Sequence, residues 1–422
     1  MTDLTVDDVH EYARGTCFRP ALPGKVGAET EWLVTDTADP SAPVPLDRLA
    51  ALLEEAGPPP AGSRLSFEPG GQVELSSPAL PGPARTHEAL AADIGHVRKA
   101  LAQEGLVLGE SGLDPLRGPL RQRHTSRYTS MDRFFTGRSR PSGTTMMCST
   151  ASLQVCLDTG ADADDVRARW ELLHRLGPVF VAAFANSAFW RGRPTGWKST
   201  RWAVWAGMDA DRTRPVPGPT ASSDPAADWA GYLLGADVLA IPAEPGGGGA
   251  WTVDPGITLA EWIAGGGARP PARADLELHA SLLFPPVRPR GWWEVRMIDA
   301  LPQRWWPVPV AVAAALLDDP HARAAAEEAT ARLCGGRLPD RVLSLRAARL
   351  GPADPDVGAC ARTCLDAAVE ALPRMGAASL AVLTDSYAEQ YTRRGLCPAD
   401  TRPQVPAPRP ARTDSRTRGG TR

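Results

Sequence analysis

The chain has 422 residues, 43% of them apolar, and a formal net charge of −3. This is enough apolar material for a large core, and the length leaves room for two or three domains, although no linker-like stretch divides the sequence. The balanced charge argues against a general nucleic-acid-binding surface, which needs a basic patch, and no apolar run approaches the ~20 residues of a membrane span.

The first nine residues carry Asp3, Asp7 and Asp8 where a secretory signal needs a basic and then an apolar segment, so a cytoplasmic protein is expected. Seven cysteines, an odd number without zinc-type CxxC pairs, fit reduced thiols. Cys360 and Cys364 lie one helical turn apart and read as small packing residues.

The first strong element is an expected strand over residues 25–35. Its Glu29 and Glu31 fall on one face while Ala28, Trp32 and Val34 fall on the other. Two carboxylates about 7 Å apart repel, and burial sharpens the repulsion unless a cation intervenes. A hard divalent metal suits such oxygen ligands, whereas a solvated strand face would need none.

An amphipathic helix follows over 46–56, with Leu46, Leu49, Leu52 and Leu53 on one side and Gly57 as its stop. Strands at 64–67 and 72–76 flank Glu68-Pro69-Gly70-Gly71, a tight turn that brings Glu68 and Glu74 together. Residues 86–104 repeat the helical pattern with Leu90, Ile94, Val97 and Leu101.

Residues 146–158 read as a strand with Leu153, Val155 and Leu157 on one face and Ser152, Gln154, Cys156 and Asp158 on the other. A long apolar helix is expected over 166–185 and strands over 237–241 and 276–284. The glycine run at 246–249 lacks the lysine and hydroxyl of a phosphate loop and reads as a turn between strands.

The strand 292–299 places Glu294 and Arg296 on one face, opposite Trp293, Val295 and Met297, and Arg288 stands near the start of the same hairpin. Such a pair serves as a salt bridge, or as a metal carboxylate beside a phosphoryl-binding guanidinium. Arg127 and Arg201 add cations in loops punctuated by glycine and proline. Helices are expected over 308–333, 357–372 and 378–394. Residues 397–422, rich in Pro, Arg, Thr and Gly, read as a disordered tail behind one catalytic domain at 1–396. Because the strands do not alternate with crossover helices, the fold class is α+β with an antiparallel sheet flanked by helices.

Together, Phe67-Glu68-Pro69-Gly70-Gly71-Gln72-Val73-Glu74-Leu75-Ser76, Gln154-Val155-Cys156-Leu157-Asp158, Phe184-Ala185-Asn186-Ser187, Phe284-Pro285-Pro286-Val287-Arg288 and Glu294-Val295-Arg296 resemble the glutamate-cysteine ligase family. The resemblance runs from about Gly24 to Tyr391, in the branch shared by plant and actinobacterial enzymes of the glutamine-synthetase-like superfamily. Gly192-Arg193-Pro194-Thr195-Gly196-Trp197 and Arg296-Met297-Ile298-Asp299-Ala300-Leu301-Pro302 look most like the actinobacterial ergothioneine-pathway ligases.

The resemblance implies a curved antiparallel sheet forming a funnel in which ATP, magnesium (or manganese), glutamate and cysteine meet. In it, ATP phosphorylates the glutamate γ-carboxylate and the cysteine amine then attacks. It further implies that Glu31 and Glu74 hold one metal ion and Glu29, Gln154 and Glu294 another. Glu68 lies close by, and Arg296 stabilises charge on the transferring phosphoryl group. Arg127 and Arg201, and more weakly Arg288, are candidates for the glutamate α-carboxylate or the nucleotide phosphates. The chain departs from its relatives at Cys156, where asparagine is common, and at Thr30, where many have a third acid. A ligase for another amine, a two-metal phosphohydrolase and a silent nucleotide-binding protein are the competing readings.

Overall fold

The computed structural model describes residues 3–216, 223–245 and 247–401. Its central element is an open sheet of seven strands: β1 (Lys25–Trp32), β2 (Arg64–Phe67), β3 (Val73–Ser76), β4 (Leu80–Pro81), β5 (Ser152–Leu157), β6 (Val287–Pro289) and β7 (Trp293–Asp299). The order is β6-β7-β5-β1-β3-β2, with β4 pairing the start of β1, and every pairing is antiparallel.

Strand parity gives this sheet two unlike faces. Val26, Ala28, Trp32, Val73, Leu75, Leu153, Val155, Leu157, Trp293, Val295 and Met297 are all buried on the apolar face. Against it pack the helices Gly82–Gln103, Ala163–Ala183 and Pro307–Asp318, and the same hydrophobic cluster runs from Leu4 to Tyr391. Phe18, Trp170 and Trp293 meet there with ring centroids 5.1–5.3 Å apart, Phe18 edge-to-face with both indoles and the indoles tilted at 42°, a cluster that ties the long helix to β7. With its apolar side covered, the sheet turns its charged side to a cavity.

The expected helices over 46–56, 86–104, 166–185, 357–372 and 378–394 are present within a few residues at their ends, and 308–333 divides in two. Pro320 cannot donate a backbone hydrogen bond, and the Asp319 carboxylate accepts from the N–H groups of His321 and Ala322, which starts a new helix. The glycine run is the turn of a hairpin between Ala240–Glu244 and Gly248–Val253, with Gly246 outside the described residues. No helix among the described residues is long and apolar enough to cross a membrane.

Three expectations need correction. Residues 276–284 are not a strand: Arg273–Ser281 is helical. The alternation of Leu276, Leu278, Ala280 and Leu282 mimics a strand, but the buried positions Asp275, Leu276, His279 and Ala280 have helical spacing, and Asp275 caps the start by accepting from the Ala272 N–H at 2.8 Å. Residues 146–149 end the helix Pro141–Ser149, and the strand begins only at Ser152. Proline at the first helical position favours that start, and Gly143 packs so tightly on Phe135 that a Cβ would lie 2.2 Å from its ring. Finally, Cys397 is buried and Pro398–Thr401 is a short helix, so ordered chain continues past residue 396, while 402–422 lie outside the described residues.

Candidate active site

The charged face of the sheet lines a cavity of about 450 Å³. Register sets the acids against one another: Glu31 stands opposite Glu74 across β1 and β3, and Glu29 stands opposite Gln154 across β1 and β5. Glu68 arrives from the turn between β2 and β3, which closes when its N–H donates to the Gln72 carbonyl at 2.9 Å. That turn requires its glycines. Gly71 has φ +87°, and a Cβ on Gly70 would lie 2.1 Å from the Cys148 carbonyl oxygen.

These carboxylates open partly to the cavity and are otherwise enclosed by protein, so they cannot shed their charge into solvent. Burial, then the negative charges of Glu294 and Glu74, push Glu29 up to about 7, against the pull of Arg296 and Arg288. Burial and Glu74 likewise raise Glu31, even though Glu31 accepts from the Ser152 N–H at 2.8 Å and the Gln154 amide at 3.3 Å. Glu68 is held well above the usual carboxylate range by burial, Glu31 and Glu74. Glu74 accepts from the hydroxyls of Ser66 at 2.7 Å and Ser76 at 3.1 Å. A cation among these four carboxylates would relieve their mutual repulsion.

Glu294 is different. It is fully buried behind the cavity wall and accepts from Arg288 Nη2 at 2.8 Å, with Arg290 Nη1 at 3.5 Å and Arg296 Nη1 also against its carboxylate. Burial alone would raise it, but Arg288, then Arg296 and Arg290, outweigh burial and hold it at about 2. It is a permanent anion that gathers three guanidinium groups. Gln154 is committed as well, donating to Glu31 and accepting from Arg296 Nη1 at 2.6 Å.

Of the residues singled out from sequence, Glu29, Glu31, Glu68, Glu74, Gln154, Arg127, Arg201, Arg288 and Arg296 all line this one cavity. Arg127 is fixed by donating to the Ser281 hydroxyl at 2.7 Å and carbonyl at 2.8 Å. Sequence reading missed Arg64, Arg123, Tyr128, Trp205, Ser281 and Arg290. Arg290 had a usable signal, lying two residues beyond Arg288 in the same hairpin, and so had Arg64, two residues before Ser66 on the expected strand and on the face of Glu74; the others come from helices and loops whose approach no local pattern encodes. Cys156 lies at the edge of the charged face, opposite Glu294, and lines an adjoining cavity of about 280 Å³ with Gly27, Glu29 and Trp292. Burial, then Glu29 and Glu294, push its thiol well above its ordinary value, so it stays protonated and is a poor target for oxidation.

The donor set can be weighed against a magnesium ion. Among the described residues no three His, Cys, Asp or Glu side chains converge closely enough to hold a metal by themselves. The donor chemistry nevertheless fits a hard cation, because Glu29, Glu31 and Glu68 each raise or are raised by acidic neighbours that a divalent charge would neutralise. Such an ion would keep ligand positions for phosphate oxygens and water, as magnesium usually does.

Residues 25–405 match the model of the family described as Glutamate-cysteine ligase family 2. The chain is 38% identical over 390 residues to the glutamate–cysteine ligase EgtA of Mycolicibacterium smegmatis, covering 89% of each protein. It is 32% identical over 249 residues to the chloroplastic glutamate–cysteine ligase of Brassica juncea, a match that spans 57% of this chain and 47% of that one. Among solved structures, a glutamate–cysteine ligase from Francisella tularensis in complex with AMP superposes with a TM-score of 0.50 at 11% identity, covering 90% of this chain and 84% of that one. At that identity the likeness speaks for the fold alone.

Proposed function

Because this chain belongs to the glutamate-cysteine ligase family, we propose that its cavity joins the γ-carboxylate of glutamate to the amine of cysteine at the expense of ATP, giving γ-glutamylcysteine. The observation that carries this reading is one cavity with four glutamates on the β1 and β3 side and a cluster of arginines gathered on Glu294. Acids that need a cation beside guanidinium groups that need an anion suit the transfer of a phosphoryl group from a metal-bound nucleotide. The name EgtA of the mycobacterial relative favours ergothioneine biosynthesis as the destination of the product. Residues 1–396 would form the catalytic unit, and the open antiparallel sheet would curve to form its funnel.

In this reading Glu31 and Glu74 would hold one magnesium ion and Glu29 another, and the metal supplies neutralisation of phosphate charge. Gln154 and Glu294 would join as ligands only if their bonds to Arg296 and Arg288 opened. As the side chains stand, they position those arginines. Arg288, Arg290 and Arg296 bind and orient the phosphates, and Arg296 faces the charge that develops when a γ-carboxylate oxygen bonds to phosphorus and ADP departs. The cysteine nitrogen would then bond to the γ-carbon as phosphate leaves, and Glu68, pushed up by its neighbours, would take the proton of the amine. Arg127 and Arg201, which stand beside Arg288 and Arg296 through Ser281 and Trp205, would bind carboxylate.

The test is an incubation with glutamate, cysteine, ATP and magnesium, read as ADP and γ-glutamylcysteine. Replacing cysteine by other amines tells this reading from a ligase for a different acceptor. Phosphate release from ATP without any amine would instead mark a phosphohydrolase.

A further inference from the structure

Two segments that carry none of the cavity's acids, 186–187 and 199–202, converge on Asp299, a carboxylate that is 1% exposed at the end of β7. Its Oδ2 accepts from the Asn186 N–H at 2.9 Å and the Ser187 hydroxyl at 2.7 Å, and its Oδ1 accepts from the Ser199 hydroxyl at 2.9 Å. The Ser187 hydroxyl in turn accepts from the Arg201 N–H at 3.0 Å, and the Ser199 hydroxyl accepts from the Trp202 N–H at 3.2 Å. Asp299 Oδ1 also lies 3.8 Å from Arg201 Nη1. Both the backbone and the guanidinium of Arg201 are therefore referred to one buried anion.

Arg201 is 2% exposed and lines the cavity. Its Nη2 donates to the Arg296 carbonyl at 3.0 Å and its guanidinium carbon lies 5.4 Å from the centre of the Trp205 ring, yet Nε and Nη1 make no hydrogen bond among the described residues. Both nitrogens are enclosed by protein, and unsatisfied donors on a buried cation are costly, a cost that Asp299, 3.8 Å from Nη1, offsets in part. Arg127 and Arg288, by contrast, already spend donors on Ser281 and Glu294.

We propose that Asp299 is a positioning residue that fixes Arg201 to receive the α-carboxylate of the acid substrate. The proposal rests on the ligase reading for the identity of that acid. A singly charged carboxylate matches Arg201, whose charge is already partly balanced by Asp299 and Glu31, whereas the three arginines around Glu294 suit a polyphosphate. Ser187, Ser199 and Asn186 serve by holding Asp299, which explains why their segments must meet β7.

The experiment compares equilibrium binding of L-glutamate and of 4-aminobutyrate, which lacks the α-carboxylate, by titration calorimetry on the full chain. Wild-type protein is expected to prefer glutamate at least 50-fold. Asp299→Asn should weaken glutamate at least 10-fold, leave 4-aminobutyrate within twofold, and lose its further effect in an Arg201→Ala background. ATP affinity should stay within twofold. A purely structural role would weaken all three ligands together, or would add in full to Arg201→Ala, and either result overturns the proposal. Should Asp299→Asn not fold, Ser199→Ala removes one bond to the same oxygen, and it must weaken glutamate selectively, by about two- to fivefold, for the proposal to stand. Wild-type protein that binds no glutamate would end the ligase reading and this inference with it; wild-type binding with an unaffected Asp299→Asn variant ends this inference alone.

Discussion

Glu31 and Glu74 face each other directly across the ladder of β1 and β3, two like charges in paired positions of an antiparallel sheet. Opposed like charges weaken a sheet by a few tenths to about 1 kcal/mol, a load that only a function would maintain. Replacing Glu74 by Gln keeps an acceptor for the hydroxyls of Ser66 and Ser76 and removes the repulsion. The metal-free Glu74→Gln protein should unfold at an equal or slightly higher denaturant concentration than wild type, while its ligase activity falls at least 100-fold. A clear loss of stability, or near-normal turnover, would show that Glu74 has another role.

Cation binding should be visible without catalysis. Magnesium that binds the folded acids and not the unfolded chain stabilises by about 2.7 kcal/mol at 100 times its dissociation constant. A rise in melting temperature with magnesium chloride, absent with sodium chloride at the same ionic strength and reversed by chelator, is the expected result. Equal effects of the two salts would mean that only general screening is at work.

Glu294 should behave unlike the other acids. Removing its charge leaves Arg288, Arg290 and Arg296 crowded together, two of them well buried, and breaking a buried pair of this kind costs about 3–5 kcal/mol. Denaturant unfolding of metal-free Glu294→Gln is expected to show a loss of this order, whereas Glu29→Gln should be neutral or stabilising. Equal stability of the two variants would argue that Glu294 is mainly a ligand held in waiting.

Part of the acid sensitivity should come from two buried histidines that do not line the cavity. His174 donates from Nδ1 to the Trp170 carbonyl at 2.8 Å, His279 bonds through Nε2 to the Leu233 carbonyl at 3.0 Å, and burial pushes both down to about 4. Above about pH 6.5 both are neutral, folded or unfolded, and stability is unaffected. As pH falls from 6.5 towards 4 the unfolded chain takes up protons that the folded one refuses, so stability drops by roughly 3 kcal/mol per histidine at most. Urea midpoints between pH 7.5 and 4.5 should fall less steeply in His174→Gln; identical slopes would exclude His174 as a source.

Much of the charged face was legible because strand parity is a strict rule. Glu29, Glu31, Gln154, Glu294 and Arg296 occur at alternate positions of apolar strands, which places them on one face whatever packs against the sheet. Parity could not say that Glu294 sits one layer deeper than the others. That follows from Arg288 standing opposite it in register, with Arg290 reaching over from the hairpin turn. Nor could it find Asp299 as a hub, since its partners Asn186, Ser187 and Ser199 lie more than 90 residues away in sequence. The misread strand at 276–284 shows the opposite failure, where an alternating pattern of leucines was overridden by a helix cap at Asp275 and burial at helical spacing.

The central claim, that this cavity couples ATP to γ-glutamyl transfer onto cysteine, is met most directly by one steady-state assay. Purified protein given glutamate, ATP and magnesium should form little ADP until cysteine is added, and then ADP and γ-glutamylcysteine in equal amounts, with both lost in Arg296→Ala. ADP formation that does not depend on cysteine, or none under any of these conditions, would contradict it.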